Sequence, residues 1–120
     1  VAASRIPAFV EHADAVLKRE IPGVRLVNFG HLGDGNLHYN VQAPEGEDGK
    51  AFLRDKEALV NHLVYEAVDA FGGSFSAEHG VGALKTDKLE KYQSPVALQM
   101  MRAIKQALDP LGLMNPGKVL

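Results

Sequence analysis

The chain has 120 residues, enough for one domain with a substantial core, and its 46% hydrophobic and 23% charged residues are those of an ordinary globular protein. A net charge of −2 and the lack of a Lys/Arg cluster argue against nucleic acid as a partner. The absence of cysteine excludes disulfides and thiolate zinc sites, and no apolar run approaches the roughly 20 residues of a membrane span.

An amphipathic helix is predicted at the start of the chain. Ser4 is its candidate N-cap, Pro7 is tolerated in the first turn, and Pro22-Gly23 ends it. Apolar residues in steps of three and four place one stripe on this helix, formed by Ile6, Phe9, Val10, Ala13, Val16, Leu17 and Ile21. This stripe is expected to face the core.

A β-hairpin is predicted next, with strands at 24–29 and 37–42 around a turn at 32–36. Alternate side chains of a strand share a face. In the second strand this separates the polar set His38, Asn40 and Gln42 from the apolar set Leu37, Tyr39 and Val41. We expect the apolar set to face the core, which leaves His38 and Asn40 facing a cleft.

After a polar loop at 44–50, a long helix is predicted to end at Gly72-Gly73. Its expected buried stripe consists of Phe52, Leu59, Leu63, Val64, Ala67, Val68 and Phe71. A short strand is expected at 74–77, and a final helix begins at Ser94-Pro95 and ends at Asp109-Pro110. That helix carries Val96, Met100, Met101, Ile104 and Leu108, and its two methionines are expected in the core.

This order of elements, α-β-β-α-(β)-α, predicts the α+β class, with an antiparallel sheet and helices on one face. A ferredoxin-like unit that lacks its first strand would have this order. The fold prediction is therefore a partial ferredoxin-like domain followed by a C-terminal helix and tail.

Residues of the types that bind metals or move protons cluster near two turns. His31 and His38 flank a turn containing Gly33 and Gly35, and two imidazoles with a carboxylate such as Glu78 suit Zn²⁺, Mn²⁺ or Fe²⁺. Spacing alone leaves open a hairpin whose histidines merely hydrogen-bond the loop, because His-x6-His is not a specific pattern.

The Glu78-His79 pair has two interpretations as well. If Glu78 binds a metal, His79 is placed to act as a general base, because imidazole titrates near neutral pH. The alternative is an exposed acidic-basic pair at a strand end. At the other end of the chain, Asn115 and Lys118 offer an amide and an ammonium in what is otherwise a plain turn.

Three segments, GHLGDGNLHYNV (30–41), SAEHGVGALKTDKL (76–89) and MRAIKQALDPLGLMNPGKVL (101–120), carry a resemblance in this order and spacing. Together they resemble the C-terminal region of the FAD-linked oxidases of the vanillyl-alcohol oxidase type. Within that family the chain is most similar to the D-lactate, D-2-hydroxyglutarate and glycolate dehydrogenases. The similarity extends over essentially the whole chain.

The resemblance implies that the chain is the C-terminal part of a substrate-binding (cap) domain whose sheet covers a flavin. It implies His31, His38 and Glu78 as ligands of a divalent ion, zinc or manganese, and His79 as the base. It also implies that Asn40 contacts a small 2-hydroxy-acid substrate. The ion would chelate the substrate, and hydride would pass from its C2 to the flavin as His79 takes the hydroxyl proton.

The resemblance further places Asn115 and Lys118 in a tail that returns toward the FAD-binding domain, where they would contact the cofactor. That domain is absent from these 120 residues, so the chain alone is expected to be inactive. The expected partners are the enzyme's own FAD-binding domain, the substrate and a second copy in a homo-oligomer, in a cytoplasmic protein. Two alternatives remain: the same family without a metal, and a stand-alone α+β binding or dimerisation module.

Overall fold

The computed structural model describes residues 1–120, and it confirms the α+β class. Its chain forms two compact units, Val1–Ala77 and Glu78–Leu120. The elements of the first unit are α1 (Ile6–Glu20), β1 (Arg25–His31), β2 (Asn36–Gln42) and α2 (Gly49–Ala70). Those of the second unit are α3 (Thr86–Tyr92) and α4 (Pro95–Leu108). No helix combines the length and the apolar character that crossing a bilayer requires.

The helix ends follow the sequence signals with one exception. The Ser94 hydroxyl caps α4 by accepting a hydrogen bond from the Ala97 N–H at 3.1 Å, and Gly72 follows α2 with a φ of 65°. The prediction for Ser4 is wrong. A 3₁₀ turn at Ala3–Arg5 precedes α1, because the Arg5 N–H bonds the Ala2 carbonyl and so draws Ser4 into the turn.

The hairpin packs one face against the two long helices. Strands β1 and β2 are antiparallel, with Asn28 opposite Tyr39 and Gly30 opposite Leu37. Their inner face joins two apolar clusters, one centred on Phe9 and the other on Leu17. Apolar side chains that fill these clusters come from α1, the turn after it, β1, β2 and α2: Ala13, Ile21, Val24, Leu26, Leu37, Val41, Leu63, Val64 and Ala67. The predicted α1 stripe and inner strand face are thereby confirmed.

The short strand expected at 74–77 does not form. The Ser74 hydroxyl accepts a hydrogen bond from the Ser76 N–H at 3.3 Å and donates one to the Ser76 carbonyl at 3.0 Å. These local bonds bend the chain and occupy backbone groups that a sheet would need. The sheet therefore has two strands.

The second unit leaves its apolar helix face uncovered. Four residues of α4 at a spacing of four are exposed, namely Val96, Met100, Ile104 and Leu108. Leu89 and Leu98 are the buried apolar residues of this unit. The expectation that Met100 is a core residue is wrong, because α4 buries only its Leu98 side.

Candidate functional site

The outer face of the hairpin gathers the polar residues singled out in the sequence. In the register of the sheet, His38 lies opposite Phe29 and His31 lies opposite Asn36. Directly opposite residues point to the same face, and so do residues two apart on one strand. His31, His38 and Asn40 therefore share the outer face; the alternation of the second strand predicted this for His38 and Asn40, and the register adds His31.

An aromatic stack fixes the orientation of His38. Its imidazole lies on the Phe29 ring with centroids 5.0 Å apart and planes 9° from parallel. Phe29 itself is 57% exposed, so the stack lies at the surface of the molecule. Stacking constrains the imidazole plane and with it the direction in which the ring nitrogens can bind a ligand.

His31 lies at the edge of the same face, where the chain turns. Its Nδ1 is 3.8 Å from the Asp34 carboxylate, with both side chains exposed. Gly35 completes the turn with a φ of 67°, and Gly30 could not carry a side chain, because a Cβ there would lie 2.3 Å from the Asn36 carbonyl oxygen. Gly33 does not adopt a positive φ, so only Gly35 supplies the backbone freedom expected of the two.

A half-buried polar network lies behind this face. The Tyr39 hydroxyl donates a short hydrogen bond to the Asp14 carboxylate, and the Asn28 amide donates to the same oxygen at 3.3 Å. Burial raises the pKa of the Tyr39 hydroxyl, and its bond to Asp14 raises that pKa further. The network ties α1 to both strands and so helps to hold Phe29 and His38, which flank Asn28 and Tyr39 in sequence, on the outer face.

Sequence reasoning missed this network, although a signal was present. Asn28 occupies a position that faces inward in its strand, among apolar neighbours. A buried amide needs partners, so its position pointed to a polar partner on the helix above. Its Oδ1 atom remains buried without a hydrogen bond.

Glu78 and His79 lie at the start of the second unit, in the loop before α3. The structure has no group of three or more histidine, aspartate or glutamate side chains positioned to hold a metal ion. It brings His31 and His38 together on one face, which supplies two imidazole donors of a suitable type. The complete ligand set with Glu78 stays a prediction, as does the role of His79.

Asn115 and Lys118 border a mostly apolar cavity of about 680 Å³ in the second unit. Its remaining walls include Met101, Ile104 and Leu108. Asn115 has a φ of 48°, a left-handed conformation that asparagine adopts more readily than most residues. An amide and an ammonium beside an apolar wall could contact a flat, partly polar cofactor, and this role also stays a prediction.

Comparison with known proteins identifies the family. A family model described as "FAD linked oxidases, C-terminal domain" matches residues 1–119. A D-2-hydroxyglutarate dehydrogenase of Stutzerimonas stutzeri is 45% identical over 119 residues, which cover 99% of this chain and 25% of the relative. A D-lactate dehydrogenase of Anaerostipes hadrus is 38% identical over 95 residues, covering 79% of this chain and 20% of the relative.

A third relative, the mitochondrial D-2-hydroxyglutarate dehydrogenase of Bos taurus, is 45% identical over 95 residues, covering 79% of this chain and 16% of the relative. The chain thus spans about a quarter or less of the length of these relatives. The resemblance seen in the three sequence segments is confirmed by the family match. The chain belongs to the FAD-linked oxidases and is similar to their C-terminal domain over nearly its whole length.

Proposed function

We propose that the chain is the C-terminal, substrate-binding part of an FAD-dependent dehydrogenase that oxidises a D-2-hydroxy acid to a 2-oxo acid. The observation that carries this proposal is the outer sheet face, where His31, His38 and Asn40 lie together in a chain of this family. The relatives' names favour D-2-hydroxyglutarate as substrate, with D-lactate as the second candidate. Glycolate as the substrate is supported by the sequence resemblance alone.

The chain's own residues would orient the substrate and remove one proton. Asn40, exposed beside His38 on β2, would hydrogen-bond the substrate carboxylate or hydroxyl through its amide. The imidazole of His79 would accept the proton of the C2 hydroxyl, because imidazole is the side chain best suited to general-base chemistry near neutral pH. FAD, when bound, supplies the acceptor for the hydride that leaves C2.

We also propose that the site binds a divalent metal ion. His31, His38 and Glu78 would hold zinc or manganese, which would lower the pKa of a bound hydroxyl. Titrating Zn²⁺ and Mn²⁺ into the metal-free full-length protein by calorimetry tests this. We expect stoichiometric binding that is lost in His38→Ala and retained in His62→Ala, since His62 is exposed on α2. Binding that is absent or unaffected by His38→Ala would favour the same family without a metal.

Flavin reduction tests the function itself. Mixing the full-length oxidised protein anaerobically with D-2-hydroxyglutarate or D-lactate should bleach the flavin, and the L-enantiomers should not. His79→Gln should slow this bleaching by about 100-fold or more, because general-base catalysis contributes on that order. His12→Gln, in an exposed position of α1, is the matched control. A flavin that no 2-hydroxy acid reduces would contradict the proposal.

The 120-residue chain alone should not oxidise any of these substrates with added FAD. Turnover by this chain would overturn that expectation.

A non-catalytic binding or dimerisation module is the alternative of a different class, and flavin reduction in the longer protein would exclude it. A cytoplasmic location stays a prediction, because the Bos taurus relative is named mitochondrial.

A further inference from the structure

We infer that Phe29 is a positioning residue, whose ring holds the imidazole of His38 in the orientation in which it binds a divalent ion together with His31. This inference rests on the proposed function and deepens its metal site. It assigns to that site a residue that has no atom able to bind a metal. In its absence the ligands would still be present, and the ion would bind more weakly.

The register of the hairpin places Phe29 next to both histidines. Phe29 lies directly opposite His38, and His31 follows two residues along β1 on the same face. Directly opposite residues have Cβ atoms about 4.5–5.5 Å apart, whereas diagonal residues such as His31 and His38 lie about 7–8 Å apart. Two imidazoles at the longer separation reach one ion only when both rings are directed at it. The orientation of each ring therefore decides whether the pair can act together.

His38 needs a neighbour to fix its ring plane, because the torsion about the Cβ–Cγ bond of a histidine is broad. The Phe29 ring provides this restraint, with the two planes 9° from parallel and the centroids 5.0 Å apart. The lone pair with which an imidazole nitrogen binds a metal lies in the plane of the ring. A stacked phenyl ring covers a face of the imidazole and leaves that edge open, so Phe29 restrains His38 without competing with the ion.

The backbone under the stack is itself tied to α1. Asn28 and Tyr39 lie opposite each other on the inner face, and each is next in sequence to one member of the stack. Both donate a hydrogen bond to the same Asp14 oxygen, the Asn28 amide at 3.3 Å. This shared acceptor holds the two strands together at the level of the stack. A site whose ligands are locked by such supporting contacts is preorganised for its ion.

The exposure of Phe29 separates this role from core packing. Phe29 belongs to neither apolar cluster of the first unit, and its side chain is 57% exposed. Substitutions at surface positions of this kind change stability little. We therefore expect Phe29 variants to fold, so that their effect on the site can be measured.

Nuclear magnetic resonance of the metal-free full-length protein, with labelled histidine rings, tests the orientation. A proton over the face of an aromatic ring resonates upfield. The His38 ring signals, identified by their loss in His38→Ala, should lie upfield of those of His62, which is exposed on α2. Phe29→Leu should remove this difference, and Phe29→Tyr should keep it. Signals of His38 and His62 that already coincide in the wild type would overturn the inference.

Calorimetric titration of Zn²⁺ into the same metal-free protein tests what the orientation does. Residues that orient a metal-bound imidazole contribute about 10–100-fold to affinity, so Phe29→Leu should raise the Kd for Zn²⁺ by about 10-fold or more. Phe29→Tyr keeps the stacked ring and should restore the wild-type Kd. Val27→Ala is the matched control, because Val27 is an exposed apolar residue on the same face of β1 and lies opposite Asn40.

Three results of this titration would contradict the inference. They are an unchanged Kd in Phe29→Leu, an equal loss of affinity in Val27→Ala, and a Phe29→Tyr variant as weak as Phe29→Leu. The first would show that the stack does not serve the ion, and the second that any apolar residue of this face does the same. The third would show that the aromatic ring is not what matters.

The outcomes also separate this inference from the proposed function. A full-length protein that reduces its flavin with D-2-hydroxy acids but binds neither Zn²⁺ nor Mn²⁺ keeps the function and loses the role of Phe29. A protein whose Zn²⁺ affinity depends on the Phe29 ring, but whose flavin no 2-hydroxy acid reduces, keeps that role and loses the function.

Discussion

The two units of this molecule treat their apolar residues in opposite ways. The first unit buries the stripe of α1 against the inner face of the hairpin, so that Phe9, Ala13 and Leu17 are almost inaccessible. The second unit has an equally regular stripe on α4, and Val96, Ile104 and Leu108 remain exposed. An amphipathic pattern therefore predicts a helix in both units, but it predicts burial only where a matching surface exists in the same chain.

The sharpest test of this contrast truncates one leucine in each unit. Leu17 is 1% exposed within a packed cluster, and its loss in Leu17→Ala should lower the free energy of unfolding by about 2–5 kcal/mol. Leu108 is 74% exposed, so Leu108→Ala should change it by no more than about 0.5 kcal/mol. Urea unfolding followed by circular dichroism gives both values, and similar losses in the two variants would refute the contrast.

The polar network of the first unit gives a smaller effect with its own pH signature. Tyr39→Phe removes the hydrogen bond to Asp14 and should cost about 1 kcal/mol. The folded protein raises the pKa of Tyr39 above that of an unfolded tyrosine. The contribution of Tyr39 to the free energy of unfolding is therefore complete below about pH 10 and is lost as pH rises further. Measuring the free energy of unfolding at pH 8 and at pH 11 checks this pH dependence, because the values for wild type and Tyr39→Phe should converge at the higher pH.

The smallest effect is expected in the second unit, where one carboxylate organises the tail. Asp109 is bonded by the Lys105 ammonium and by the N–H groups of Leu113 and Met114 at 2.9 Å, and the lysine is the main cause of its lowered pKa. Asp109→Asn should therefore speed amide exchange at Leu113 and Met114 without changing the first unit.

The same bonds should weaken in acid. The contribution of these bonds to the stability of the tail is complete above about pH 4, the ordinary pKa of an aspartate. It is lost as pH falls through the lowered pKa of Asp109. Asp87→Asn is the control, because Asp87 pairs only with the neighbouring Lys88 among the bonds described. Equal protection of the tail in Asp109→Asn and wild type would show that Asp109 does not anchor it.

Much of the secondary structure followed from sequence periodicity and turn chemistry. The α1 stripe, the hairpin, the end of α2 near Gly72 and the start of α4 at Ser94 depend on local signals, which a single sequence carries. The strand expected at 74–77 does not form, because the Ser74 hydroxyl bonds the Ser76 backbone groups and no partner strand offers them hydrogen bonds instead.

The candidate site was predictable in part, because the sequence pattern of one strand shows which of its side chains share a face. Alternation along β2 placed His38 and Asn40 on one face, and the register added His31. The stack of His38 on Phe29 depends on which residues lie opposite in the sheet, a pairing that the pattern of one strand does not contain. The network of Asp14 with Tyr39 depends on how a helix lies over the sheet, which is a tertiary property.

The proposed function places the oxidation of a D-2-hydroxy acid at the outer face of the hairpin. Steady-state turnover of D-2-hydroxyglutarate by the full-length protein tests this role of the face, with His38→Ala compared against His62→Ala. We expect His38→Ala to lower kcat/KM by about 100-fold or more, as loss of a substrate-orienting or metal-binding imidazole does, and His62→Ala to leave it unchanged. Equal kcat/KM in the two variants would show that this face takes no part in the reaction.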